Sequence, residues 1–126
     1  MNPHDVYKQA SVATSPGKLV VMLYDGLLKF MDEAAGKIDQ KDIEGAHKAL
    51  LRAQDIVLEL RSTLAIDEAP ELGQNLYDLY SFMYGKLVDA NRLKESVPIA
   101  EIRPVVTELR DAFAQAETEL SVERQG

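Results

Sequence analysis

Apolar residues recur at alternating steps of three and four along most of this chain, which is the spacing of an amphipathic helix. Between residues 16 and 39, two such rows lie side by side and leave only a narrow polar seam. One row contains Val20, Leu23, Leu27, Phe30 and Ala34, and the other contains Val21, Tyr24, Leu28, Met31, Ala35 and Ile38. A helix with two apolar rows is expected to pack against more than one neighbour.

Within this stretch stands Asp25-Gly26, a dipeptide typical of a tight β-hairpin when alternating strands flank it. No such alternation is present, so the pair is predicted to lie inside a continuous helix. Gly26 costs that helix roughly 1 kcal/mol relative to alanine, and close approach of a neighbouring element would explain it. Ser15 and Pro16 are predicted to provide the N-cap and the first turn.

Three later stretches show the same helical spacing. The second runs from Ile43 to Leu64, and Asp42 is placed to cap its first turn. Pro98 is expected in a turn, and Pro104 in the first turn of the fourth helix. The chain is therefore predicted to be all-α, an antiparallel up-down four-helix bundle with an N-terminal extended arm. The expected bounds are 1–14 for the arm, 15–120 for the bundle, about 16–39, 43–64, 72–93 and 100–120 for its helices, and 121–126 for a frayed tail.

Composition excludes several classes of function. Among 126 residues there are 21 acidic and 14 basic side chains, which gives a net charge of −7, the wrong sign for binding nucleic acid. Cys is absent, so neither a disulfide framework nor a thiolate metal site is possible. No apolar run approaches the roughly 18 residues of a membrane span, and no secretion signal is recognisable at residues 1–14. We therefore expect a cytoplasmic protein without membrane insertion.

Residues able to carry out catalysis are sparse. Glu44 and His47 form the only Glu-x-x-His pair, and His4 is the only other histidine, which is too few ligands for a dinuclear metal site in a bundle. There is no Ser-His-Asp or Cys-His set and no glycine-rich phosphate loop. Asp25 lies on a polar seam, where a carboxylate is usually solvated. The sequence predicts a binding protein with no enzymatic activity, no cofactor and no metal.

Several large apolar residues fall beside the rows that are expected to form the core. Such a surplus is typical of a groove that accepts a partner. The alternative is that the inner helices each bury two rows, or that the arm covers these side chains. The predicted groove residues are Leu51, Leu58, Tyr77, Phe82 and Tyr84.

The arm is otherwise polar but contains Val6, Tyr7 and Val12, with no helical period. Chain termini are commonly disordered, and a terminus of this kind can also lie over a groove as a lid. Both interpretations stay open at the level of sequence.

Four stretches together resemble one known family. They are VYKQASVATSPGKLVVMLYDGLLKFM, AQDIVLEL, LYDLYSFMYGKLVDAN and VVTELRDAF, in that order. The chain is similar over nearly its whole length to the flagellin export chaperones, the FliS family, and the SPG-x-L-x-x-MLYDG element is the most specific part. It departs at Lys18, where Glu is frequent, and at Gly85-Lys86, where two basic residues are common.

The resemblance implies a four-helix cytoplasmic chaperone without enzymatic activity or cofactor. Such a chaperone binds the C-terminal segment of newly made flagellin, keeps it from polymerising and helps deliver it to the flagellar type III export gate. Tyr7 matches the N-terminal tyrosine of the family. It is therefore expected to occupy part of the groove in the free protein and to be displaced by flagellin.

Two other functions are compatible with the residues themselves. One is a helical adaptor that binds a different amphipathic helix, such as an anti-sigma or signalling partner. The other is a histidine-phosphotransfer bundle, for which His47 is the only candidate residue.

Overall fold

A computed structural model describes residues 16–125 of the chain, as four helices joined by short connections. They are α1 (Pro16–Asp39), α2 (Ile43–Ser62), α3 (Pro70–Leu93) and α4 (Val97–Gln125). No strand occurs in this described part, which confirms the all-α prediction. Nor is any of these helices long and apolar enough to cross a membrane. Ser15 and the predicted arm lie outside the described residues.

The helices follow one another around a ring in which each lies beside the helices before and after it, and α1 and α4 close the ring. Side chains from opposite helices also meet in the centre, where Tyr24 of α1 contacts Tyr80 of α3. Two ion pairs on the α1–α4 side show the direction of packing. Asp25 pairs with Arg110, and Asp32, one heptad further along α1, pairs with Arg103, one heptad earlier on α4. α1 and α4 are therefore antiparallel. Consecutive helices are joined by short connections and pack on one another, so they are antiparallel too, and the up-down bundle is confirmed.

The core is formed by the predicted three-four rows. Every helix contributes side chains that have essentially no exposed surface, and together they make one continuous cluster. Its largest members are Tyr24, Leu27, Met31, Leu50, Val57, Leu60, Tyr80, Met83, Leu87, Ile102 and Val106. Burying one such aliphatic side chain contributes about 1.5 to 3 kcal/mol, so this cluster is the main source of the bundle's stability.

Asp25 and Gly26 lie inside α1, which is continuous, so the helical interpretation of this pair is confirmed. A Cβ atom added at Gly26 would lie 3.2 Å from Cδ1 of Ile56 on α2. This close approach is the neighbour that the sequence led us to expect.

The connection between α1 and α2 also follows the prediction. The Asp42 carboxylate accepts a hydrogen bond of 2.9 Å from the backbone N–H of Gly45, so Asp42 is the N-cap of α2. Lys41 before it adopts a positive φ of 60°. α2 then ends at Ser62, two residues before the predicted end, and α3 begins at Pro70, two residues before its predicted start.

α4 differs from its prediction at both ends. It begins at Val97, so Pro98 lies in the first turn, and Pro104 lies inside the helix. A proline in the first turn removes no hydrogen bond, because that N–H has no partner within the helix. Pro104 has no N–H, so the carbonyl of Ala100, four residues earlier, lacks its helical donor. Both residues are exposed, so water can donate to that carbonyl instead. Residues 121–125, which the sequence placed in a frayed tail, continue the helix.

Candidate functional site

The outer surface between α2 and α3 contains four of the five predicted groove residues. Two contacts fix the register of its walls. Arg61 of α2 lies over the ring of Tyr77 of α3, and His47 of α2 lies within hydrogen-bond distance of Asn91 of α3. From 47 to 61 is fourteen residues, so these contacts stand about 21 Å apart at the helical rise of 1.5 Å per residue. We call this surface the α2/α3 groove.

Leu51 and Leu58 lie between those two contacts on α2, and Tyr84 lies between them on α3. Leu51 is 43% exposed and Tyr77 is 38% exposed, so both present apolar surface to solvent. Leu58 and Tyr84 are half-buried, and Tyr84 packs against the core cluster. The four residues therefore form a row with exposed ends and a partly buried floor.

The end of the groove near the start of α3 is held by Arg61. Its guanidinium carbon lies 5.0 Å from the centre of the Tyr77 ring, and its Nη1 donates a hydrogen bond of 3.3 Å to the Ser81 hydroxyl. A cation over an aromatic face is attracted by the ring's negative face. Tyr77 is thus held against α2 while much of its ring stays accessible.

The opposite end opens into a hollow of about 400 Å³. Sequence reasoning did not identify it, although extending the row of Tyr77 and Tyr84 by one turn reaches Val88, and by one heptad reaches Asn91. The hollow is lined by His47, Leu51, Gln54, Val88, Asn91, Arg92 and Lys94.

Phe82 does not lie in this groove. It is 53% exposed, and Nζ of Lys86 lies 5.6 Å from the centre of its ring. The same Nζ donates a hydrogen bond of 2.6 Å to Glu101 on α4, so Phe82 faces the α4 side of α3, whereas Tyr77 faces α2. The spacing of Phe82 showed that it falls outside the core row, but spacing alone does not show which neighbouring helix a residue faces.

A second concave surface, which the sequence did not indicate, lies at the end of the bundle where α1 begins. This cavity has a volume of about 570 Å³. It opens beside Gly17, and side chains from α4 and from the connection after α2 complete its wall. Its lining residues are Gly17, Leu19, Val20, Ser62, Thr63, Leu64, Ala65, Leu76, Tyr80, Phe113, Ala116, Glu117 and Leu120.

The YDG part of the most specific sequence element has a structural role at each position. The hydroxyl oxygens of Tyr24 and Tyr80 lie 2.5 Å apart in the core, and burial is the main cause that raises the pKa of both hydroxyls above the ordinary tyrosine value. Asp25 accepts a hydrogen bond of 2.8 Å from Arg110 of α4, and Gly26 admits the Ile56 side chain of α2. The element therefore holds α1 against the other three helices.

The remaining candidates lie apart from the groove floor. His47 is exposed on the second turn of α2, and its Nδ1 lies 3.0 Å from the Asn91 side-chain nitrogen. Within residues 16–125, no three His, Cys, Asp or Glu side chains come close enough to hold a metal ion. Val6, Tyr7 and Val12 lie outside the described residues, as does His4.

Comparison with known proteins gives the family. The family model described as "Flagellar protein FliS" matches residues 1–120. A flagellar secretion chaperone FliS of Bacillus subtilis is 41% identical over 116 residues, which cover 91% of this chain and 86% of that protein. Proteins with the same name from Vibrio cholerae and Campylobacter jejuni are 29% and 33% identical and cover 86% and 80% of this chain. A match of this extent identifies the chain as a member of the FliS family of flagellar secretion chaperones.

Proposed function

We propose that this protein is a non-enzymatic cytoplasmic chaperone that binds the C-terminal segment of flagellin in the α2/α3 groove. Binding there keeps flagellin from polymerising and helps bring it to the export gate of the flagellar secretion apparatus. The observation that carries the proposal is the exposed apolar row of Leu51 and Tyr77, which flanks Leu58 and Tyr84 on two helices whose other faces already fill the core.

The groove suits an amphipathic helix. Its walls are two antiparallel helices, and an added helix can lay a row of apolar residues between them. We expect the flagellin segment to be unstructured when free and to fold as it binds, so part of the interaction energy is spent on ordering it. Affinity is then moderate for the area buried, which favours later release at the export gate.

The proposal is tested by measuring how the C-terminal forty or so residues of the host's flagellin bind the full chain. Co-purification shows whether a complex forms, and calorimetry gives the dissociation constant. Tyr77→Ala and Leu51→Ala should each weaken binding about tenfold, since aromatic and apolar anchors of an interface often contribute more than 1 kcal/mol. Far-UV circular dichroism checks that each variant stays folded.

Phe82→Ala is the matched control, because Phe82 is an exposed aromatic residue of the same helix that faces α4. It should leave the dissociation constant unchanged. Absence of binding to the wild-type chain would contradict the proposed function. Binding that depends on Phe82 but not on Tyr77 would place the flagellin segment on the α3/α4 side instead.

Delivery is tested separately. The soluble domain of the export gate should retain the complex of chaperone and flagellin segment on an affinity column more strongly than it retains either component alone. Equal retention of the free chaperone would show that cargo is not needed for recognition at the gate.

A further inference from the structure

The hollow at one end of the α2/α3 groove is basic, although the chain as a whole is acidic. Three of its lining residues, His47, Arg92 and Lys94, have basic side chains, and no acidic residue among those that the structure describes lines it. The whole sequence has 21 acidic and 14 basic residues, so the charge of the hollow is opposite in sign to the net charge of the chain. Two cationic side chains, Arg92 and Lys94, that line one hollow favour a partner that brings negative charge.

Contacts within the described structure leave much of this donor capacity available. Nζ of Lys94 donates to two oxygens of Asn91, and an ammonium group carries a third proton. The Arg92 guanidinium has one acidic neighbour, Asp89, at 3.9 Å, which is beyond the length of a good hydrogen bond. An arriving carboxylate could therefore accept hydrogen bonds from both cations.

Gln54 is a second, independent sign of a ligand. It is only 8% exposed and lines the hollow, and its Oε1 is buried without a hydrogen-bond partner among the described residues. Buried polar groups nearly always have a partner, so an unsatisfied one needs an explanation, such as a bound water, ion or ligand. The nitrogen of the Gln54 amide can donate to a carboxylate and its oxygen can accept from an N–H, and a docked helix has free backbone N–H groups in its first turn.

We propose that this hollow binds an acidic side chain, Asp or Glu, of the helical segment that docks in the α2/α3 groove. The inference rests on the proposed function and adds a recognition element to it. Leu51 belongs to both surfaces, so a helix seated on Leu51 brings its next turn to the hollow. Because the groove has one such hollow near Arg92 and an aromatic end near Tyr77, the carboxylate fixes the direction in which the segment lies.

The test compares Arg92→Gln with Lys29→Gln in the full chain. Both changes remove one positive charge from an exposed helical position, but Lys29 lies on α1, which does not form the groove. With the host's flagellin C-terminal segment as the probe, Arg92→Gln should weaken binding about three- to tenfold and make the dissociation constant less dependent on salt. Lys29→Gln should change neither quantity.

A second set of measurements identifies the carboxylate. Each Asp and Glu of the segment is changed to its amide, and a further peptide has its terminal carboxylate amidated. One side-chain change should reproduce the loss seen with Arg92→Gln and cause no additional loss when the two are combined. If only terminal amidation does so, the bound group is the chain end, and the side-chain proposal is wrong.

The outcomes separate this inference from the proposed function. Normal binding that weakens with Tyr77→Ala but responds neither to Arg92→Gln nor to salt would overturn the carboxylate site alone. A segment that does not bind the wild-type chain under any salt condition would overturn both.

Discussion

The hydroxyl groups of Tyr24 and Tyr80 share one hydrogen bond inside the bundle, with 2.5 Å between their oxygens. Changing either residue to Phe leaves the other hydroxyl buried without a partner, which should lower the free energy of unfolding by about 1 to 3 kcal/mol. Changing both removes the two polar groups together, so the double variant should lose no more than either single variant. Urea denaturation of the four proteins measures this, and additive losses would contradict it.

The same pair predicts sensitivity to alkali. Burial raises the pKa of both hydroxyls above the ordinary tyrosine value of about 10. The folded state therefore holds protons that the unfolded chain releases, and stability should fall as the pH rises above about 10. The variant with Phe at both positions should lose less stability over that range, as followed by urea denaturation at each pH. An identical pH profile for both proteins would contradict a role for this pair.

The glycines in the helices should respond differently to substitution. Gly85→Ala should stabilise the protein by about 0.5 to 1 kcal/mol, because nothing lies within 4 Å of the added methyl group. Gly73→Ala should destabilise it, because that methyl group would lie 2.9 Å from the backbone of Ile66. Gly26→Leu should also destabilise it, by about 1 to 3 kcal/mol, through overpacking against Ile56. Thermal unfolding ranks the variants, and greater stability of Gly26→Leu would refute close packing as the reason for that glycine.

At the level of whole helices, local sequence predicted the bounds of α1 and was least accurate for α4. α1 has two apolar rows and a Pro at its first position, so the apolar spacing and the helix-start signal predict the same helix. α4 contains two prolines six residues apart, and each is a valid first-turn residue by itself. Ile99 and Ile102 are buried in the core, and their packing there as one helical face is consistent with a helix that begins before Pro104. The start of α4 therefore depends on tertiary packing, which the local sequence does not show.

The groove was predictable only in part for a related reason. Helical spacing separates the core row of α3 from the residues outside it, and it correctly set apart Tyr77, Phe82 and Tyr84 from that row. Which side of α3 each residue occupies depends on where α2 and α4 pack. Arg61 and Glu101 show that arrangement in the structure, but neither is marked as a contact by its local sequence.

Core and groove positions of α2 should therefore differ in what they contribute. Leu60→Ala removes a fully buried side chain and should lower the free energy of unfolding by about 2 to 5 kcal/mol. Leu51→Ala removes a half-exposed side chain and should cost well under half of that, while weakening flagellin binding. Denaturation and binding measurements on both variants check the contrast. Similar destabilisation by the two changes would mean that Leu51 belongs to the core.

Over the whole molecule, the two ends of the groove differ in what lies next to them. The end at Tyr77 is close to the 570 Å³ cavity, since both include the end of α2 and the first half of α3. That cavity opens beside Gly17, immediately after the point where residues 1–14 join the bundle. The basic hollow lies at the other end. The N-terminal arm and the proposed carboxylate site can therefore be tested independently.

The arm is predicted to act as a lid that competes with flagellin. Gly17 lies ten positions after Tyr7, enough chain to span up to about 35 Å, so Tyr7 is within reach of the Tyr77 end of the groove. Removal of residues 1–14, or Tyr7→Ala, should leave the bundle folded and should tighten flagellin binding, because a binding site that is open only part of the time has a reduced apparent affinity.

Hydrogen exchange on the free chain and on the complex distinguishes a lid from the other possibilities. A lid predicts that the amides of residues 1–14 lose protection when flagellin binds, because the segment takes their place in the groove. An arm that clasps the bound segment predicts the opposite on both counts: protection rises in the complex, and truncation weakens binding. Arm amides that exchange freely in both states, together with an unchanged dissociation constant after truncation, would show that displacement of the arm has no part in cargo binding.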